Sequence, residues 1–255
     1  RKLSSAYLKS AQQFAFSDML LYEKNGFYTL TEAALIAEFY PVREDIKSYA
    51  LACYLCEAAS AFAVPGEEAN NVLRLLLNSL YALENGISTH SVIKSAFELR
   101  LCAECGFMPE TEFCDICGDE ILNNLSLLHL SDGVVHCKGC ASGSFGYAQI
   151  TPAVSKAIAH ITRSDMSRFL SFRISENDQA VLSDTAERFL LIRAERGFKT
   201  LSFYKKIQII RYCQHTLIPY TFDISSHYIQ ILIFLSPYSI GLQMILSIFV
   251  LIILL

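Results

Sequence analysis

The sequence lacks the residue sets by which most enzymes are recognised. It contains no nucleophile–base–acid set, no phosphate-binding Walker loop and no glycine-rich dinucleotide fingerprint. Its acidic residues are scattered and do not pair on predicted helix faces in the way that a metal-dependent nuclease requires. These absences predict a protein that binds other molecules and is not an enzyme.

The chain also lacks an excess of positive charge and a signal peptide. Its 255 residues carry 21 Lys and Arg against 25 Asp and Glu, for a net charge of −4. Any surface that binds nucleic acid must therefore be a local patch. Nine cysteines without a signal peptide favour a reducing cytoplasm over a disulfide framework. Because the chain begins at Arg1 and not at Met, we expect that a preceding segment is missing.

Charge is absent from residues 229–255, which form a long apolar run. The run is long enough to cross a bilayer as a helix, although Pro237 and Gly241 could break its first part. Two interpretations stay open. One is a genuine membrane anchor. The other, which we favour, is translation beyond the natural end of the gene, because the run of Ile, Leu, Phe, Tyr and Ser is typical of an AT-rich non-coding frame.

Four of the nine cysteines form the most informative motif. Cys114 and Cys117 make one C-x2-C pair, Cys137 and Cys140 make another, and nineteen residues separate the pairs. This spacing is typical of a zinc ribbon in which two short knuckles supply four thiolates to one tetrahedral ion. Four sulfurs leave no open coordination position for water, so the pattern predicts a structural and not a catalytic zinc ion. We expect Gly118 and Gly139 to provide the unstrained turns of the two knuckles.

The other cysteines and the nearby histidines have simpler interpretations. Cys53 and Cys56 lie on an apolar helical face and are expected to be buried free thiols. Cys102 and Cys105 could compete as zinc ligands, but an amphipathic helix surrounds them and core packing is favoured. His129 and His136 lie near the motif and are not needed as ligands if four sulfurs bind.

Residues 12–40 predict strands, and the rest of the chain is mainly helical. Asn25-Gly26 is a hairpin signal between two runs of β-prone residues. The segment 33–40 is ambiguous between strand and helix, and we expect about three strands from residues 1–40. Apolar periodicity predicts helices over about 46–63, 71–83 and from Thr89 or Ser91 onward. Further helices are expected from Thr151-Pro152 and from Ser175 to about Arg196, with Gly197 as the stop. A short hairpin is expected within 122–135.

The order of these parts resembles the RecO family of bacterial recombination mediators. The resemblance is carried by Gly26-Phe-Tyr-Thr-Leu-Thr-Glu-Ala33, Tyr40-Pro-Val-Arg-Glu-Asp45 and, most specifically, residues 97–118. It covers roughly residues 1–206. It implies an α+β fold with a partial OB-type β-barrel (1–43), then a helical domain (44–206) with a zinc ribbon inserted at about 110–145. The apolar tail 207–255 has no counterpart in the resemblance.

The resemblance also implies a function in DNA repair and homologous recombination. Members bind single- and double-stranded DNA, anneal complementary strands and bind RecR and single-stranded-DNA-binding protein, and they help to load RecA. It implies one zinc ion and a cytoplasmic, nucleoid-associated protein. A rival interpretation, based on the apolar tail alone, is a membrane-anchored zinc-ribbon scaffold.

Candidate DNA-binding residues come from two basic stretches. Residues near the start could form part of an OB-type groove, and a basic stretch over 188–206 could bind phosphates or could be a solvated helix face. The aromatic residues Tyr22, Phe27 and Tyr28 flank the predicted turn and could stack on bases, although cross-strand or core packing is favoured for Phe27. The candidates are Arg1, Lys2, Tyr7, Lys9, Arg193, Arg196 and Lys199.

Overall fold

The computed structural model describes residues 7–64, 68–121, 123–141 and 145–216. A β-hairpin comes first, followed by three helices, a small three-stranded sheet and three more helices. The elements are β1 (Ala15–Lys24), β2 (Phe27–Glu38), α1 (Ile46–Phe62), α2 (Asn70–Glu84), α3 (His90–Glu104), β3 (Ser126–His129), β4 (Val134–His136), β5 (Tyr147–Ile150), α4 (Pro152–Arg163), α5 (Glu176–Ala194) and α6 (Lys199–Thr216).

The first two strands form a long antiparallel hairpin. Its turn is the predicted Asn25-Gly26, with φ of 54° and 76°, as a two-residue turn with two left-handed positions requires. The ambiguous segment 33–40 is resolved as strand, because β2 continues to Glu38. Residues 7–40 therefore give two long strands where we expected about three from residues 1–40.

The predicted mixture of α and β structure is confirmed, but the OB-type barrel is not. In the described part of the chain, the hairpin is a separate two-stranded sheet and does not close into a barrel. Both faces of the hairpin are largely exposed, because no other strand or helix in the described part of the chain covers them.

Short polar side chains begin the helices where the sequence predicts. Thr89, Thr151 and Ser175 each accept a hydrogen bond through the side-chain oxygen from a backbone N–H three residues later. The end of α5 differs from the expectation. The helix stops at Ala194, and Glu195 adopts the left-handed conformation with a φ of 51°, so Gly197 is not its stop.

The core lies among the helices, and α3 is at its centre. Nearly every residue from Val92 to Cys102 is buried, including the polar ones. Tyr54 of α1, Phe97 of α3 and Phe189 of α5 are fully buried. A helix buried on all sides must satisfy its polar groups through internal partners.

Two charged residues of α3 have such partners. Lys94 Nζ lies 2.8 Å from Glu98 Oε1 and 3.0 Å from Glu187 Oε2 of α5. Tyr54 donates its hydroxyl hydrogen to Glu98 Oε1 over 2.6 Å. Burial raises the pKa of Glu98, while Lys94 and Tyr54 oppose that rise. These contacts join α1, α3 and α5 through a buried polar network.

The small sheet is inserted between α3 and α4. Its strand order is β4-β3-β5, with both pairs antiparallel. The hairpin expected within 122–135 is confirmed as β3 and β4, whereas β5 was not predicted.

The last described helix crosses the position where the apolar tail was expected to begin. Helix α6 runs to Thr216, and Ile207 packs partly against the core. Among the described residues, none of the helices is long and apolar enough to cross a membrane. The run 229–255 lies outside the described residues, so the anchor and the translation artefact both stay as predictions.

Candidate metal centre and nucleic-acid interface

The four motif cysteines converge on one point. The sulfur atoms of Cys114, Cys117, Cys137 and Cys140 all lie within 4.8 Å of one another, and Cys117 Sγ and Cys137 Sγ are 3.8 Å apart. Zn–S bonds of about 2.3 Å in a tetrahedron place sulfurs about 3.8 Å apart. The donor set therefore fits a zinc ion with little adjustment.

The first knuckle is built by backbone hydrogen bonds around Cys114. Gly118 N–H donates to Cys114 O, and Cys114 N–H donates to Asp119 O, each over 2.8 Å. Gly118 has a φ of +76°, as expected for a knuckle glycine. Gly139 was expected to play the same part in the second knuckle, but it is not among the glycines with positive φ.

The environment of Cys114 favours its thiolate. Partial burial raises the pKa of the thiol. Backbone N–H groups of Cys117, Cys137 and Ile116 act more strongly in the opposite direction, and the pKa falls to about 6. The N–H of Cys137 lies 3.3 Å from Cys114 Sγ. A thiolate at neutral pH is the form that binds zinc.

The ribbon, defined here as residues 106–150, is anchored to the helices at several points. Thr111 and Ser155 exchange two side-chain-to-backbone hydrogen bonds. Arg163 of α4 pairs with Glu110 and Glu112. Because α4 follows the ribbon directly, these contacts fix its orientation on the helical domain.

The remaining thiols and histidines lie outside the cluster. Cys102 is buried in the core, and Cys53, Cys56 and Cys105 are half-buried. His136 Nδ1 is 2.9 Å from the Tyr147 hydroxyl, and His129 pairs with Asp132. Packing, and not ligation, explains these positions.

Two of the candidate DNA-binding arginines have intramolecular partners. Arg193 donates to Leu130 O over 2.8 Å, and its guanidinium lies 4.2 Å from the centre of the Phe189 ring. Burial lowers the pKa of Arg193. Arg196 lies 3.4 Å from Glu57. These contacts leave Arg193 with little guanidinium surface for a phosphate and make Arg196 a weak candidate.

The other candidates differ in accessibility. Lys199 is exposed at the start of α6, and Lys9 is exposed just before the hairpin. Tyr7 is half-buried and donates its hydroxyl hydrogen to Thr31 O over 2.7 Å. Arg1 and Lys2 lie outside the described residues. Of the described basic candidates, Lys9 and Lys199 are therefore the ones that are exposed and have no carboxylate within ion-pair distance.

The hairpin tip exposes aromatic rings more than the sequence suggested. Phe27, for which core or cross-strand packing was favoured, is 78% exposed. Tyr22 and Tyr28 are also exposed, and Lys24 pairs with Phe27 across the turn. The Asn-Gly turn with aromatic residues on both sides was the sequence signal for this cluster.

Comparison with known proteins agrees with this architecture. The family model described as "Recombination protein O C terminal" matches residues 43–202, which include the helices α1 to α5 and the whole ribbon. That match covers more than half of the chain.

Curated relatives share most of their length with this chain. DNA repair protein RecO of Acetivibrio thermocellus is 26% identical over 211 residues, covering 83% of this chain and 84% of the relative. DNA repair protein RecO of Alkaliphilus metalliredigens is 26% identical over 210 residues, covering 81% and 84%. The protein of the same name from Caldicellulosiruptor saccharolyticus is 26% identical over 198 residues, covering 78% and 80%. With the ribbon inserted between two helices and the family match across both, the chain belongs to the RecO family.

Proposed function

We propose that this chain acts in DNA repair and homologous recombination, by binding and annealing single-stranded DNA and by helping to load a recombinase. The observation that carries the proposal is the family match over residues 43–202. The relatives named DNA repair protein RecO support it across most of the chain. The proposal includes no catalytic residue.

We propose in addition that one structural zinc ion holds the ribbon through Cys114, Cys117, Cys137 and Cys140. The convergence of the four sulfurs within 4.8 Å supports this assignment. When bound, the ion would cross-link the two knuckles and keep the ribbon folded. The chain's own residues do the rest, since Thr111, Ser155 and Arg163 hold the ribbon against α4.

Single-stranded DNA would bind at the tip of the β-hairpin. Tyr22 and Phe27 are exposed on one face of the hairpin, and Tyr28 is exposed on the other. Stacking of a base on an aromatic ring stabilises binding by about 1–3 kcal/mol, so Tyr22 and Phe27 form the stacking face. Lys24 is exposed at the tip and Lys9 is exposed just before the hairpin, and both supply positive charge for phosphates. This surface tolerates any base sequence because every base has a stacking face.

Lys199 and Lys206 would add a second, weaker phosphate contact on α6. Both are exposed and, within the described residues, neither lies within ion-pair distance of a carboxylate. Lys205 differs because it pairs with Glu187. Annealing needs only that two strands be held close and partly neutralised, so two separated basic surfaces suit it.

The resemblance suggests the partners of such a protein. We propose RecR and single-stranded-DNA-binding protein as direct partners, RecA as an indirect one, and a cytoplasmic, nucleoid-associated location. The domain boundaries proposed from the sequence, 1–43, 44–206 and 207–255, are kept, although α6 continues past residue 206 and the compact unit ends at Cys213.

Salt dependence and substitution test the DNA proposal. Affinity for a fluorescent 20-nucleotide single strand should fall steeply with salt, because bound phosphates release counterions. Replacing Tyr22 and Phe27 with Ala should weaken binding about tenfold or more, as the loss of two stacking contacts on one face of the hairpin predicts. Annealing of complementary strands should slow in parallel.

Tyr81→Ala is the matched control. Tyr81 is an exposed aromatic residue on α2, away from the hairpin in sequence, and its loss should leave affinity unchanged. A flat salt dependence, or equal effects of the hairpin and α2 substitutions, would contradict the proposal.

A further inference from the structure

Two apolar side chains in the first knuckle of the ribbon are exposed to solvent. Ile116 is 60% exposed and Phe113 is 57% exposed, although both flank the buried Cys114. Asp115 N–H donates to Val135 O over 3.0 Å, and Ile121 N–H donates to Glu112 O over 3.0 Å. These bonds hold the backbone of the knuckle in the conformation in which the two apolar side chains are exposed.

A cleft lies beside this knuckle. Its volume is about 520 Å³, and the end of the knuckle, the second knuckle and the start of α4 surround it. Phe113 pairs with Glu120 as an isolated bridge, which places the exposed ring next to one wall of the cleft. The cleft is lined by Asp119, Glu120, Asn124, Leu125, Lys138 and Pro152, among others.

The charge around the knuckle is strongly negative. Residues 110–141 contain six carboxylates and one lysine. Arg163 pairs with both Glu110 and Glu112 and offsets one of their two negative charges. Among the described residues, Asp115, Asp119 and Glu120 are exposed and none lies within ion-pair distance of a cation. Four thiolates on one divalent ion would add about two further negative charges.

The exposed apolar side chains and the negative charge together indicate which class of partner fits this surface. A phosphate backbone would be repelled, so the knuckle does not fit DNA. An apolar surface bordered by unpaired carboxylates complements a protein segment in which basic and apolar side chains alternate. We infer that the first knuckle and its cleft form a docking site for a basic, apolar-containing segment of another protein. Its apolar side chains would pack on Phe113 and Ile116, and a Lys or Arg would enter the cleft between Asp119 and Glu120.

This docking site goes beyond the proposed DNA function, since it uses neither the hairpin nor α6. Lys138 lines the cleft, and Lys156 Nζ donates to the cleft residue Asn123 over 3.4 Å, so both lysines oppose a cationic guest. We therefore expect substitutions of Glu120 and of Lys138 to change the affinity for a basic peptide in opposite directions.

A fluorescent 12-residue peptide of alternating Lys and Leu tests the site by anisotropy on the zinc-loaded full chain. Glu120→Gln and Ile116→Ser should each weaken binding about threefold or more, through the loss of one charge contact or one apolar contact. Lys138→Glu should tighten binding about threefold. The gain must come with one equivalent of zinc and a wild-type circular dichroism spectrum, because an unfolded acidic ribbon would also bind a cationic apolar peptide.

Asp132→Asn is the matched control, because Asp132 is an exposed carboxylate of the same ribbon that lies outside the cleft. It should leave peptide affinity unchanged, and a peptide with Glu in place of Lys should not bind the knuckle. Equal peptide affinity in the wild type, Glu120→Gln, Ile116→Ser and Lys138→Glu would overturn the inference. A threefold or greater loss of single-strand affinity in Ile116→Ser would also overturn it, by making the knuckle a nucleic-acid surface.

Discussion

At the residue scale, several charged side chains of this protein donate hydrogen bonds to its own backbone carbonyl groups. Arg100 of α3 is nearly buried and donates through Nη1 to Ile161 O, Thr162 O and Ser164 O at the end of α4. Its Nε donates to Glu104 over 2.7 Å. The last carbonyls of a helix have no partner within the helix, so Arg100 acts as a C-terminal cap supplied by a neighbouring helix.

Arg100→Lys should lower the free energy of unfolding by about 2 kcal/mol. A lysine has one ammonium group and cannot reproduce the fork of donors, so buried carbonyls lose partners. Urea unfolding monitored by circular dichroism measures the change. Arg173→Lys is the control because Arg173 is exposed, and it should change stability by less than about 0.5 kcal/mol.

Cys137→Ser should remove the bound zinc ion, from one equivalent to none by metal analysis. Loss of one sulfur breaks the tetrahedral set, and the ribbon should unfold locally because the proposed ion would join its two knuckles. Cys105→Ser, which changes a half-buried thiol outside the cluster, should keep one equivalent of zinc. Full zinc content in Cys137→Ser would show that the four-sulfur assignment is wrong.

At the scale of elements, Asp178 joins the starts of two helices. Its Oδ1 accepts from Thr151 Oγ1 over 2.6 Å at the start of α4, and its Oδ2 accepts from Ser175 Oγ over 2.7 Å at the start of α5. The hydrogen bonds from Thr151 and Ser175 lower the pKa of Asp178. The carboxylate therefore ties together two N-terminal caps that are separate in sequence.

Asp178→Asn should destabilise the chain by about 1 kcal/mol at pH 7, the usual value of a lost cap. Since the pKa of Asp178 is lower in the folded state, its contribution is present above the unfolded value near ~3.9 and is lost as pH falls. The stability difference between wild type and variant should thus shrink below about pH 4. Asp184→Asn, on the exposed side of α5, should show a smaller difference at pH 7.

The elements that local sequence determines were predicted well. Thr89, Thr151 and Ser175 correctly predicted where three helices start, because a helix N-cap depends only on neighbours within four residues. The spacing of the four motif cysteines was enough to predict that their sulfur atoms lie close together. The end of α5 was misplaced, because Glu195 takes a left-handed conformation that favours glycine.

Features that depend on distant residues could not be predicted in the same way. Arg193 looked like part of a basic patch, but its partner Leu130 O is 63 residues away in sequence. Strand β5 was missed because its four residues gain strand geometry from pairing with β3. The exposure of Phe27 likewise depends on whether other parts of the chain pack on the hairpin, and the sequence of the hairpin alone does not specify this.

At the scale of the whole molecule, the end of the folded unit can be tested by truncation. Tyr204 and Leu201 of α6 are buried, and Ile207 packs partly against the core. A chain ending at Thr216 keeps all of α6, whereas a chain ending at Lys206 loses Ile207 and leaves the helix end to fray.

The chain ending at Thr216 should keep the stability and DNA annealing of the full chain and gain solubility, because it removes the apolar run 229–255. The chain ending at Lys206 should be about 1–2 kcal/mol less stable, as expected for the loss of a half-buried Ile. Thermal unfolding and light scattering measure both effects. Global unfolding of the chain ending at Thr216 would show that residues 217–255 belong to the fold.

The position of the ribbon between α3 and α4 has a consequence for the order of folding. Thr89, which begins α3, donates to Gln179 of α5, 90 residues further along the chain. Such distant contacts form slowly, because the entropy of closing the intervening loop is lost first. A zinc ion that tied residue 114 to residue 137 would shorten that loop. The supply of zinc during synthesis should therefore set how fast the helical core assembles, and how long its apolar faces are exposed to aggregation.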